Sequence, residues 1–365
     1  MISLFKQYPQ LEEDLPYVSL GELLTPVERL NCLGKEIKMN HLYIKRDDIS
    51  GGIYGGNKLR KLEFLLGDAL GSGIQEILTF GYAGSNHALA TSIYSQRLGL
   101  KSISMLLPQP NAYYVRHNLL LGHYYGAELY HYQNVLSLFI HLIYQVIWRK
   151  IKYGRFPRLI MPGGSSPLGT IGYVNAAFEL KKQIIKGELP EPDVIYIALG
   201  SMGTAAGLIL GLKAVNLKSQ VIAIRVIDKM FVTEKRIISL IRKTNSLLHS
   251  RDRTFPMIKI SRKDVKIRHD FFGNGYAHFT EKGMRAVKLM ERTEGIKLDG
   301  TYTGKTLAAL IEDIDKQELR DKVILFWNTY NSRDFSDIKA SVDYHDLPEC
   351  FYRYFEKGVQ PLDLP

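Results

Sequence analysis

Short apolar runs at residues 74–80, 102–107, 127–132, 194–199 and 221–226 alternate with segments whose apolar residues recur every three to four positions. Such an alternation of brief strands with amphipathic helices describes parallel βαβ units, so the chain reads as α/β. Helices are expected from Lys58 to about Leu70, and over 88–98, 136–150, 172–186, 234–249 and 281–293. One more is expected behind each of the turns 200–207 and 298–305, and the strand at 322–327 is expected to close the sheet. Residues 1–50 carry Pro9, Pro16 and Pro26 and read as an extended arm leading into a strand at 42–46. The run 162–169 is a break suited to a hinge, 250–268 shows no clear element, and the tail beyond Ser336 through Pro365 is expected to be peripheral.

Open α/β sheets bind ligands at the carboxyl ends of their strands, which directs attention to the corners. At Tyr54-Gly55-Gly56-Asn57-Lys58-Leu59-Arg60-Lys61-Leu62-Glu63-Phe64, two glycines allow a tight turn and close backbone approach, and a helix with Leu59, Leu62, Leu65 and Leu66 begins at once. Lys58 can point its amine into a cleft from there. Arg60 and Lys61 fall on the helix flank, where solvated charges are the ordinary expectation, and a surface lysine is the plainer alternative for Lys58 as well. The turn Gly200-Ser201-Met202-Gly203-Thr204 follows an apolar strand and opens a helix. Its main-chain donors suit a phosphate, and a purely structural turn is the alternative. It lacks the Gly-x-Gly-x-x-Gly order and acidic ribose ligand of a dinucleotide site. Ser85-Asn86-His87 by itself reads as a helix cap, and without a Gly-x-Ser-x-Gly elbow a serine triad is a poor rival.

With 365 residues, 45% of them hydrophobic, the chain can bury two domains or one large α/β unit. The net charge of +11 is spread from Lys6 to Lys357 without basic blocks interleaved with aromatic residues, so no nucleic-acid partner is expected. Cys32 and Cys350 lie far apart with no metal-ligand spacing, which argues against a metal site or disulfide framework and fits a reducing, cytoplasmic setting. Residues 1–13 lack the pattern of a secretory signal. The longest apolar run, 135–148, is too short to span a bilayer and is interrupted by His141 and Gln145. Its basic end, Arg149, Lys150, Lys152 and Arg155, would suit an interfacial helix, but the reading taken is a core helix or subunit contact, with no membrane partner.

The runs Tyr43-Ile44-Lys45-Arg46-Asp47-Asp48, Gly55 to Phe64 and Ser85-Asn86-His87 together resemble the pyridoxal-phosphate family of 1-aminocyclopropane-1-carboxylate deaminases and D-cysteine desulfhydrases. The likeness covers most of residues 40–310 and is weakest over 228–268. It implies two open-sheet α/β domains of the tryptophan-synthase-like fold (fold type II), a larger cofactor domain over 1–60 and 170–365 and a smaller one over 61–169. It implies pyridoxal 5'-phosphate carried as an imine on Lys58, with Asn57 alongside and Gly200, Ser201, Met202, Gly203 and Thr204 around the phosphate. It implies further that Asn86 reaches the ring hydroxyl, Ser85 contacts the substrate and has a nucleophile's role, Tyr302 packs on the ring, Tyr276 stands on the substrate side and Thr303 lies at the pyridine nitrogen.

Thr303 stands where the deaminases carry glutamate, which points to the desulfhydrase branch: a neutral hydroxyl favours an unprotonated ring, enough for expelling a thiolate. The expected activity is β-elimination and deamination of a small amino acid by a homodimer, with ring-opening deamination second. A cofactor-binding protein that senses a ligand without turnover is the rival of another class. Gly84, Ala88 and Leu89 depart from the family pattern beside the substrate carboxylate position, and bear on substrate identity more than on cofactor use.

Overall fold

The computed structural model describes residues 1–316 and 319–363, which form two compact units. The first contains 1–15, 21–64 and 165–333. Its sheet has six strands: β1 (Val27–Arg29), β2 (Leu42–Arg46), β7 (Val194–Leu199), β8 (Gln220–Arg225), β9 (Lys266–Arg268) and β10 (Ile324–Asn328). Their order is β1-β2-β10-β7-β8-β9, parallel throughout except for the β1–β2 pair. The strands β7 and β10 are buried along their whole length, as continuous apolar runs are when helices cover both faces of a parallel sheet. Ile44, Tyr196, Phe326, Leu307, Leu310 and Met290 share one core.

Several local expectations change. The strand expected to close the sheet lies inside it: Ile324 pairs with both Leu42 and Val194, and a strand apolar on both faces belongs in the interior. The N-terminal arm contains the short helices Ser3–Gln7 and Gln10–Asp14. Burial of Leu4, Phe5 and Leu11 holds them down, with the Leu4 N–H donating to Asn175 Oδ1 at 2.9 Å. The helix Pro167–Ile185 starts earlier than expected because Ser166 caps it and Pro167 suits its first turn. Within 250–268 the segment Lys266–Arg268 adds the edge strand β9.

The second unit contains 16–20, 65–164 and the chain from Asp334 onward. Its parallel sheet, β5-β4-β3-β6, is built from β3 (Glu76–Tyr82), β4 (Lys101–Leu107), β5 (Glu128–His131) and β6 (Arg158–Ile160). Leu78, Ile103 and Met105 pack beneath Leu138 and Leu142 of the helix Val135–Tyr153. The C-terminal segment, expected with the larger unit, groups here instead. Asn111 Nδ2 and Arg116 Nε donate to the Tyr354 carbonyl at 2.9 and 2.8 Å. Leu364 and Pro365 lie outside the described residues.

Candidate active site

The carboxyl ends of β2, β10 and β7 lie side by side, and the Gly55-Gly56-Asn57-Lys58 corner is fastened to two of them. The Gly56 and Asn57 N–H groups donate to the carbonyls of Asp47, after β2, and Thr329, after β10, at 2.7 and 3.1 Å. A Cβ at Gly55 would stand 1.9 Å from the Asp48 carbonyl, and Gly56 has φ of +88°, so both positions require glycine. The helix Asn57–Gly71 begins there. Lys58 Nζ donates to Asn57 Oδ1 at 2.7 Å, and Asn57 Nδ2 donates to Thr204 Oγ1 at 3.0 Å. Lysine corner and glycine turn thus form one site. Burial brings the Lys58 amine down to about 8, against the opposing attraction of Asp299.

Arg60 and Lys61, expected to be solvated, are both buried. Arg60 pairs with Asp47 and Glu179 at 2.6 and 2.7 Å, Lys45 pairs with Glu179 at 2.8 Å, and Tyr173 and Trp327 both donate to Asp47. Two cations offset two carboxylates, so a charge pattern that looks exposed in one dimension becomes a buried network holding the corner from behind. The Arg60 guanidinium, with Lys45, keeps the Asp47 carboxyl at about 2 although burial alone would raise it.

Lys61 points toward the 200–204 turn. Its Nζ lies 3.5 Å from Ser165 Oγ, which accepts from the Gly203 N–H at 3.0 Å and donates to Ser201 Oγ at 2.9 Å. A Cβ on Gly203 would come within 2.7 Å of Ser165 Oγ and 3.1 Å of Lys61 Nζ. Burial, then the neighbouring Lys58 charge, push the Lys61 amine well below its ordinary value. Met202 has φ of +72° at the start of the helix Gly203–Ala214, whose first-turn N–H groups have no carbonyl partner within the helix. A cradle of small residues, a helix N-terminus and a buried lysine amine that an anion would hold protonated suits one phosphate group.

Tyr302 Cε1 would be 3.3 Å from a Cβ on Gly200, and Tyr302 shares a 2.7 Å hydrogen bond with Tyr276 through their hydroxyls. Thr303 is buried, and its hydroxyl donates to Asp299 Oδ1 at 2.7 Å while accepting from the Asp299 N–H at 2.9 Å. The same carboxylate caps the helix Thr303–Lys316 by accepting from the N–H groups of Thr301, Tyr302 and Thr303. The neutral hydroxyl therefore has a carboxylate directly behind it. Lys305, also buried, donates to the Phe272 carbonyl at 2.7 Å, and burial brings its amine to about 8.

Ser85 and Asn86 lie in the second unit, behind the carboxyl end of β3. Ser85 Oγ accepts from the Ala88 N–H at 3.2 Å, the capping role, which leaves its hydroxyl proton available. Asn86 Oδ1 accepts from Asn118 Nδ2 at 2.8 Å. Gly84 also acquires a reason. A Cβ there would lie 2.7 Å from Tyr114 Cε2, 2.8 Å from Val115 Cγ2 and 3.0 Å from Gln109 Nε2. Gln109 Oε1 meanwhile accepts from the Gly84 N–H at 2.8 Å. A carboxamide from elsewhere in the chain fills the space beside Gly84.

Sequence reasoning missed Lys61, Ser165, Asp299 and Gln109. Only Asp299 left a local signal, an aspartate four residues before Thr303 at the head of a helix.

The family described as pyridoxal-phosphate dependent enzyme matches residues 18–329. A putative 1-aminocyclopropane-1-carboxylate deaminase of Pyrococcus abyssi is 33% identical over 310 residues, covering 85% of this chain and 90% of that protein. A D-cysteine desulfhydrase of Klebsiella pneumoniae is 34% identical over 323 residues, covering 86% and 93%. The crystal structure of an ACC deaminase homologue superposes with a TM-score of 0.76 at 32% identity, covering 93% of this chain and 98% of that one. Threonine deaminase isoform 2 from Solanum lycopersicum, at 15% identity and a TM-score of 0.60, covering 93% and 92%, shares the fold.

Proposed function

The chain belongs to the pyridoxal-phosphate dependent enzymes, and from that membership we propose that it eliminates the β-substituent of a small amino acid in the manner of a D-cysteine desulfhydrase. With D-cysteine and one water the products are pyruvate, ammonia and hydrogen sulfide. The observation that carries this reading is Lys58: a partly buried amine brought down to about 8 and tied through Asn57 to the phosphate-sized cradle at Thr204.

In this reading Lys58 attaches the cofactor covalently. The 200–204 turn, the N-terminus of the helix Gly203–Ala214 and the Lys61 amine, which the phosphate's negative charge would keep protonated, hold its phosphate. Asn57 positions the amine, Asn86 receives the ring hydroxyl, Tyr302 packs against the ring and Thr303, backed by Asp299, stands at the ring nitrogen. Bound pyridoxal phosphate supplies an electron sink for negative charge at the substrate α-carbon. With the cofactor bound, the freed Lys58 Nζ would take the substrate α-proton in its neutral form, and burial enlarges that neutral fraction near neutrality relative to an exposed lysine. Tyr276 and Ser85 serve the substrate side.

Thr303 with its Asp299 partner disfavours ring-opening deamination of 1-aminocyclopropane-1-carboxylate, since the matching position in the deaminases is glutamate. A homodimer in the cytoplasm completes the reading, supported by two free, exposed cysteines that suit a reducing compartment. Release of 2-oxo acid and sulfide from a panel of D- and L-amino acids tests it. D-cysteine should lead, and a protein that binds cofactor but turns over no member of the panel would be a sensor instead.

A further inference from the structure

The helix Val135–Tyr153 turns two apolar faces in different directions. Its inner stripe, Leu138, Leu142, Gln145 and Arg149, is buried. On the opposite side Leu136, Ile140, Ile143, Ile147 and Ile151 recur at helical spacing and are between 52% and 80% exposed. A surface helix ordinarily presents charged residues there. The exposed apolar sector, from Phe139 round to Tyr144, spans about 140° at the helical 100° per residue, wider than the narrow seam of a coiled coil. It was expected to be core or a subunit contact.

Charge decides what covers it. No Asp or Glu occurs between Glu128 and Glu179. Arg149 is neutralised from within by Glu76 and Glu128, and Arg158 pairs with Asp68. Lys150, Lys152 and Arg155 are exposed and make no ion pair among the described residues. Lys150 donates to the Gly154 carbonyl and sits over the Phe156 ring, Arg155 donates to the Gly73 carbonyl, and the Lys152 ammonium sits over the Trp148 and Tyr153 rings, so their partners are neutral. A second copy would serve these cations badly. Antiparallel pairing lays them on the partner helix's N-terminal turn, the positive end of its dipole with no acidic residue in it, and parallel pairing sets them against each other.

We propose that this face docks on a bilayer rich in anionic lipid, the helix lying flat with its isoleucine stripe among the acyl chains. Nineteen residues give a length of about 28 Å, and such helices sink roughly 5–10 Å. Lys150, Lys152 and Arg155 extend to lipid phosphates, while Tyr144, Trp148 and Tyr153 occupy the headgroup level. No helix among the described residues is long and apolar enough to cross a membrane, so attachment is peripheral and reversible.

The test uses the full-length holoenzyme with vesicles of phosphatidylcholine alone and of phosphatidylcholine mixed with phosphatidylserine. Three exposed cations predict binding on the order of a hundredfold tighter to the mixed vesicles, weakened by high salt. The chain has two tryptophans, and Trp327 is fully buried, so a blue shift on binding reports Trp148. I140E/I147E should abolish binding and leave amino-acid turnover unchanged, and K150E/K152E should remove the preference for anionic lipid. Equal affinity for both vesicles, or none for either, overturns the proposal. So does a dimer that I140E/I147E converts to monomer without lipid, which would make the face a subunit contact.

Discussion

Asn57 and Thr204, 147 residues apart in the chain, are joined by a 3.0 Å side-chain hydrogen bond, and the same Asn57 receives the Lys58 ammonium at 2.7 Å. One carboxamide thereby sets both the lysine proposed to hold the cofactor and the turn proposed to hold its phosphate. Asn57→Ala should cost about 1 kcal/mol in stability and lower turnover about 10- to 100-fold with cofactor still attached. Lys58→Ala should remove the borohydride-trapped band and at least about a thousandfold of activity. Peptide mapping that finds the cofactor on another lysine would refute the assignment.

The proposed phosphate cradle separates three substitutions. Lys61→Met removes a charge-assisted contact of about 1.5–3 kcal/mol, so cofactor affinity should fall tenfold or more. Gly203→Leu, aimed at Ser165 Oγ and Lys61 Nζ, should lose cofactor more severely still. Ser201→Ala removes one hydroxyl and should stay within about fivefold of wild type. Absorbance titration at limiting cofactor gives the order, and equal retention in all three would place the phosphate elsewhere.

Turnover should be rapid with D-cysteine or a related β-substituted amino acid and slight with 1-aminocyclopropane-1-carboxylate. D-cysteine offers an α-proton to Lys58, whereas the cyclopropane α-carbon has none and needs Ser85 or another group to begin. Thr303→Glu would place a second carboxylate beside Asp299 in a buried position, so the variant should bind cofactor with an altered spectrum and lose stability. Fast ring-opening with no D-cysteine turnover in the wild type would reverse the branch.

Protonation of Lys58 gives a pH signature in the cofactor-free protein. Its amine titrates at about 8 folded and at the ordinary 10.5 unfolded, so between those values the unfolded chain holds more protons and stability rises with pH. Below about pH 8 both states are protonated and the dependence flattens. Lys305 contributes in the same direction. Urea unfolding at about pH 7 and about pH 9.5 should therefore show a larger gain for wild type than for Lys58→Met. Identical gains would mean that the Lys58 amine is not shifted.

Gly84→Gln should be destabilising, by about 1–3 kcal/mol, because Tyr114, Val115 and Gln109 already occupy the space. Thermal melting measures it. An unchanged melting temperature would show that Gln109 yields easily and does not fill that position.

Much of this could be read without coordinates, because its causes are local. Apolar runs of strand length and helical spacing identify β3, β4, β7 and β8 and most of the helices. Gly55 and Gly56 announce a backbone that tolerates no side chain, and the turn after β7 announces a helix N-terminus. Those patterns mark Lys58 and the 200–204 turn as corners, with a surface lysine and a structural turn as the alternatives, and the resemblance supplies their chemistry.

What tertiary structure alone decided is which distant segments meet. Periodicity records how apolar a strand is and says nothing of its neighbours, so the position of β10 between β2 and β7, which aligns Thr329 with Asn57, emerges only when the sheet is assembled. Charge in a sequence carries no sign of its partner either. Arg60 and Lys61 look like solvated helix residues until Asp47 and Glu179 arrive beside one and the Ser165–Gly203 contact beside the other. Burying a charge is tolerable only where such groups converge, and that convergence is a property of the folded chain.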